Sequence, residues 1–160
     1  MNVPTASQKR LVIVGATGMV GRYALRHALE NSAVGSVTSI GRSRVGISHP
    51  KLTEVLHRDF ADCSALAEAL SGQDAAVFCL GTYTGAVPDA EFRTITVDYT
   101  IEFARVLRGS SPDAAFSSAQ RRAYPPTIPV APMITRRVWP VSAFIHASDA
   151  LQPRSLKPPG

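Results

Sequence analysis

At 160 residues, with 45% hydrophobic and 18% charged residues, the chain is long enough to bury one sizeable core and too apolar to read as disordered. Its net charge of +5 invites a nucleic-acid reading, but residues 1–113 hold 11 Lys/Arg against 11 Asp/Glu, and the whole excess follows them. There, Arg121, Arg122, Arg136 and Arg137 stand in a proline-rich stretch and read as solvated charge, which sets nucleic acid aside as a partner.

The first ten residues contain no apolar run, and the apolar stretch 128–145 is broken by Pro129, Pro132, Arg136, Arg137 and Pro140. Neither reads as a signal peptide or a membrane span. Cys63 and Cys79 make no disulfide framework, and the four histidines have no metal-ligand spacing. The expectation is a soluble, cytoplasmic protein with reduced thiols, no metal site and no membrane partner.

In chain order, residues 11–14 (Leu-Val-Ile-Val) form a wholly apolar, β-branched run that suits an inner strand of a parallel sheet. The run ends in Gly15-Ala16-Thr17-Gly18-Met19-Val20-Gly21, after which Val20, Tyr23, Ala24, His27 and Ala28 recur at helical spacing and predict a helix over 18–30. Second and third strands are predicted at 36–40 and 53–57. Asp62 is placed to cap a short helix with Ala65, Leu66, Ala69 and Leu70 on its apolar face, closed by Ser71 and Gly72. A fourth strand follows at 74–80. A helix at 90–108 carries Phe92, Ile95, Tyr99, Phe103, Val106 and Leu107 on one stripe, with Gly109 at its C′ position. A fifth strand is predicted at 114–118. This alternation predicts an α/β, doubly wound parallel sheet of Rossmann type over residues 1–118.

A parallel strand that runs into a glycine turn and then a helix presents free N–H groups and a positive dipole end to an anion, and a dinucleotide pyrophosphate fits there. Gly15 allows the tight turn, Gly18 keeps a Cβ out of the phosphate's approach, and Gly21 lets the helix lie close to the strand. Ala16, Thr17, Met19 and Val20 complete the loop. No Gly-Lys-Ser/Thr follows, so a Walker-type phosphate loop is excluded. The end of the second strand, where an acidic residue holds the ribose of NAD, carries Arg42, Ser43 and Arg44, which favours NADP(H) over NAD(H).

With the glycine loop, Ile40-Gly41-Arg42-Ser43, Asp59-Phe60, Cys79-Leu80-Gly81-Thr82 and Val97-Asp98, residues 9–118 resemble the atypical short-chain dehydrogenase/reductases. Within that group the likeness is to small NADPH-binding oxidoreductase-like proteins and sugar-epimerase-like relatives. The resemblance implies that Asp59 and Phe60 lie beside the adenine, and that Leu80, Gly81 and Thr82 run along the pyrophosphate and ribose. Asp59 has a plain alternative as a turn residue, and Cys79 as a buried strand thiol.

The catalytic pattern of that superfamily is a strand-end serine followed by Tyr-x-x-x-Lys. Four positions after Tyr23, Tyr83, Tyr99 and Tyr124 stand His27, Val87, Phe103 and Ile128, so the pair does not occur in this sequence. Ser117 or Ser118 falls where the serine stands, and Ser118 is the single catalytic candidate, set against a plain strand-end role. From Pro125 onward lie eight of the twelve prolines, and the alternation stops near residue 118. Residues 119–160 are read as an irregular tail, produced by truncation or a frameshift, or else a divergent tail docked on the sheet. The expected function is NADP(H) binding with oxidoreductase-like ancestry and impaired catalysis, or else a non-catalytic NADP(H)-sensing regulator. A sheet that stops at its fifth strand leaves an edge open to self-association.

Overall fold

The computed structural model describes residues 8–82 and 86–119. Five strands, β1 (Lys9–Val14), β2 (Val34–Gly41), β3 (Leu52–Leu56), β4 (Ala75–Phe78) and β5 (Ala115–Ser118), form one sheet. All neighbours are parallel and the order is β3-β2-β1-β4-β5. Helix α1 (Met19–Glu30) lies on one face; α2 (Asp89–Arg93), a π-helical stretch (Thr94–Asp98) and α3 (Tyr99–Ser110) follow one another, and α3 packs on the other face. The five strands fall within two residues of their predicted ends. The tail expectations for 119–160 concern a stretch of which only residue 119 lies among the described residues.

The period of two in a strand divides the apolar run of β1 between two cores. Leu11 and Ile13 meet Leu25, Ala28 and Leu29 of α1, together with Val37, Ala75 and Val77. Val12 and Val14 turn the other way, onto Ile40, Phe60, Leu66, Leu70, Ala76, Phe78 and Phe103. A strand covered on both faces can be apolar throughout, which is why no alternation shows in its sequence. Phe103 is the hub of the second core, with ring centroids 5.3 Å from Phe78 and 6.1 Å from Phe116.

Three local expectations are corrected. The buried stripe of α1 is Gly21, Leu25, Ala28 and Leu29, while Val20 and Tyr23 are exposed, because the close seating of Gly21 rotates the helix away from the predicted face. Residues 64–72 form only a 3-10 turn (Ser64–Leu66) and further turns; Asp62 accepts the Ser64 N–H at 2.9 Å in a local turn, but the N-cap is Cys63. The helix predicted to stop before Gly109 continues to Ser110. The Ser111 hydroxyl donates to Leu70 O at 2.7 Å and accepts the Gln73 N–H at 2.9 Å, so the exit is fixed by a tertiary contact and not by a glycine cap.

The π-helical stretch has a local cause. The hydroxyls of Thr94, Thr96 and Thr100 donate to the carbonyls four residues back, at 3.1, 2.6 and 3.0 Å. Such back-bonds compete with the backbone ladder and loosen the turn they belong to. Among the described residues no helix is long and apolar enough to cross a membrane.

At the opposite edge of the sheet from the glycine loop, Asp74 ties β1, β4 and β5 together. Its carboxylate accepts the Arg10 N–H at 2.8 Å and lies 3.2 Å from Lys9 Nζ, while its carbonyl accepts the Ala115 N–H at 2.9 Å. The Arg10 N–H, with Lys9 adding to it, holds the Asp74 pKa below the ordinary carboxylate value. A depressed folded-state pKa gives stability that is present above the unfolded value of about 4 and is lost as the pH falls through the folded one. Between about pH 5 and pH 2, wild type should therefore lose more stability than Asp74→Asn in urea titrations. Phe103→Ala should cost about 3–5 kcal/mol in the same assay at neutral pH.

Candidate functional site

A parallel sheet places all carboxyl ends on one edge, and here the ends are laced together. Gly15 N–H donates to Ile40 O (3.0 Å), His57 N–H to Gly41 O (2.9 Å), Cys79 N–H to Val14 O (2.9 Å) and Ala119 N–H to Phe78 O (2.9 Å). The glycine loop, Arg42-Ser43, Asp59-Phe60, Leu80-Gly81-Thr82 and Ser118 all leave the sheet at this edge. Chain order reverses between β1 and β4, since β2 and β3 lie on one side of β1 and β4 and β5 on the other. The crevice at such a reversal is where open α/β sheets bind ligands.

The three glycines do different work. Gly15 has φ +78°, and a Cβ there would also stand 3.0 Å from Cys79 C and Leu80 N, so the loop is pressed against the end of β4. A Cβ on Gly21 would overlap the carbonyl oxygen of Gly15, a position no side chain can occupy; α1 is seated on the loop through this contact. Gly18 is exposed, and its Cβ would meet nothing closer than Gly15 O at 3.5 Å. The protein itself thus tolerates a side chain at 18, and the space there is open to a ligand.

Gly18 is the N-cap of α1, with no side-chain cap and no acidic residue in the first turn. The first intrahelical donor is Arg22 N–H, to Gly18 O at 2.8 Å, which leaves the amides of the first turn and the positive helix end facing the crevice. This is the donor set a pyrophosphate requires. Thr17, Met19 and Val20 are exposed around it, whereas Ala16 is buried, so Ala16 can offer only its backbone.

At the nucleotide end, Arg42 and Ser43 are exposed, and among the described residues the Arg42 side chain has no hydrogen bond or ion pair. The Asp59 carboxylate accepts the Ala61 N–H at 3.0 Å, a turn role, while its carbonyl is 2.7 Å from His57 Nε2. Phe60 is 1% exposed, packed edge-on against His57 and Phe78. Its ring is therefore core, and only its backbone can face a nucleotide. Leu80 leans on the same core, while Gly81 is exposed and a methyl group placed on it would meet nothing within 4 Å.

At the end of β5, the Ser118 Oγ is buried without a hydrogen-bond partner among the described residues. Burial pushes the Cys79 thiol pKa up to about 11, and burial, with Glu102 adding to it, does the same for Cys63. Sequence reasoning missed Glu54, which lies in the middle of β3 and reaches the turn after β2; its spacing from Val45 and Arg44 carries no pattern to find it by.

The family described as NAD(P)H-binding matches residues 15–108, more than half the chain, from the glycine loop through β4 to the last turns of α3. The chain belongs to the NAD(P)H-binding family. Its fold is shared with uronate dehydrogenase from Agrobacterium tumefaciens, with a TM-score of 0.58 at 20% identity over 70% of this chain and 40% of that one. Glucuronic acid dehydrogenase from Chromohalobacter salexigens gives 0.60 at 18% identity, over 73% of this chain and 44% of that one. The Bordetella bronchiseptica enzyme WbmG, solved in complex with NAD and UDP, gives 0.59 at 21%, over 73% and 39%. The chain matches less than half the length of each. The NAD(P)H-binding assignment agrees with the resemblance read from the glycine loop and strand ends, and it supports the binding of a nicotinamide dinucleotide.

The glycine geometry separates fold from binding. Gly21→Ala should destabilise the protein by about 1–3 kcal/mol or more through overpacking. Gly18→Ala should cost less than about 1 kcal/mol yet weaken dinucleotide binding about tenfold or more, the equivalent of ~1.4 kcal/mol. Urea midpoints and titration calorimetry on the two variants check both.

Proposed function

We propose that this chain binds NADP(H) in preference to NAD(H), with the pyrophosphate on the free amides of the glycine loop and the adenosine end against the turn after β2. The observation that supports the preference is the exposed Arg42, without an ion-pair partner among the described residues, at the point where a carboxylate would otherwise hold the ribose hydroxyls. The acidic side chain that reaches this turn, Glu54, has its oxygens turned to the Val45 N–H and to Arg44. A guanidinium meets a phosphate with a two-pronged fork and a complementary charge.

On this reading Asp59 and the Phe60 backbone border the adenine, and Leu80, Gly81 and Thr82 follow the pyrophosphate and ribose. A bound nicotinamide supplies hydride chemistry, and Ser118 is the residue of this chain placed at the matching strand end. The sequence has no Tyr-x-x-x-Lys pair to hold and move the proton that hydride transfer needs. On this reading the ancestry is that of an oxidoreductase, and these 160 residues by themselves hold the cofactor without efficient turnover. That absence also favours the second reading, a sensor of NADP(H) state that signals through a partner.

Arg42→Glu should weaken NADPH binding far more than NADH binding in titration calorimetry. An equal loss for both would remove the preference for NADP(H). Hydride exchange between NADPH and a panel of small carbonyl compounds should stay at background, and turnover with any of them would restore an intact enzyme.

A further inference from the structure

Glu54 stands opposite Ser39 in the register of β3 with β2, so its side chain belongs to the sheet while its carboxylate meets the turn that follows β2. It is well enclosed, with 17% of its side chain exposed, and one oxygen accepts the Val45 N–H at 2.7 Å. The other lies 3.6 Å from Nη1 of Arg44, whose side chain is 72% exposed. A charge-assisted bond between guanidinium and carboxylate closes to about 2.7–2.9 Å, and the favoured geometry is two-pronged. The Arg44 pair is longer and single-pronged, so Arg44 is held loosely and keeps donors for another anion.

We infer that Glu54 sets the nucleotide selectivity of the site by competing with the cofactor's 2′-phosphate for Arg44. The inference rests on the NADP(H) reading and adds to it a second phosphate ligand and a built-in competitor. Arg42 and Arg44 are two residues apart on one short turn, so a phosphate dianion held by Arg42 enters the field of Arg44 and of Glu54 together. The carboxylate then acts in two separable ways. Through Val45 it shapes the turn, which serves either dinucleotide. Through its charge it opposes the 2′-phosphate and occupies Arg44, which penalises NADP(H) alone.

Glu54→Gln separates the two, because the amide oxygen can still accept the Val45 N–H while the charge is gone. Calorimetric titration should show NADPH affinity rising about two- to five-fold, the span of an exposed charge pair, with NADH affinity unchanged. Adding Arg44→Gln to Glu54→Gln should abolish that gain, since the competed-for partner is removed. Equal losses for NADPH and NADH, or an unmoved ratio, would make Glu54 a scaffold residue only and overturn the inference. Wild type that binds the two dinucleotides equally sinks the NADP(H) reading itself, whereas a wild-type preference with an unmoved ratio in Glu54→Gln sinks the role of Glu54 alone. Should Glu54→Gln not fold, Arg44→Gln alone decides: NADPH affinity should fall about two- to five-fold with NADH unchanged, and no change overturns the proposal.

Discussion

The carbonyl oxygen of Gly15 occupies the space where any other residue at position 21 would carry its Cβ, and the rest of the site depends on that approach. It seats α1 on the end of β1, so that the helix starts directly at the strand's carboxyl end. The same turn, at φ +78°, is pressed against Cys79 and Leu80, which brings the loop of β1 and the end of β4 together at the carboxyl end of the sheet. With the helix seated this closely, Leu25, Ala28 and Leu29 reach Leu11, Ile13 and Val37. Burying each of these leucines contributes roughly 1.5–3 kcal/mol, so cofactor geometry and stability share one contact.

Apolar side chains and polar backbone divide the carboxyl edge between them. Ala16, Phe60 and Leu80 all belong to segments that border the crevice, yet their side chains point into the two cores. What the crevice receives from them is backbone, whose N–H and carbonyl groups suit a pyrophosphate, a ribose and the edge of a base. Charge enters at the turn after β2, with Arg42, Arg44 and Glu54, and at Asp59 after β3. The thiols follow the same division: Cys63 is buried and Cys79 half-buried, and burial raises the pKa of both.

Sheet order follows from this arrangement. Two strands lie on each side of β1, and each crossover returns the chain to the same edge, so segments far apart in the chain, such as Gly15 and Leu80, become neighbours. The far edge is closed differently, by Asp74 through the Arg10 N–H, Lys9 and the Ala115 N–H, and by the Ser111 hydroxyl between Leu70 and Gln73. Those bonds hold the strands in register without taking part in the crevice.

The sequence by itself determined the alternation of strands and helices, the parallel sheet, and the glycine loop between the first strand and the first helix. These rest on local causes: an uninterrupted β-branched run at 11–14, glycines at 15, 18 and 21, and apolar residues at helical spacing. The helix seating was misread from Val20 and Tyr23, because the buried face of α1 is set by how closely Gly21 meets Gly15 and not by hydropathy alone. Only tertiary structure decided that Phe60 gives its ring to the core, that α3 ends at Ser110 through Ser111, and that Glu54 reaches the turn carrying Arg44. Each of these is a contact between residues on different elements, fixed by sheet register and packing, and spacing along the chain carries no trace of it.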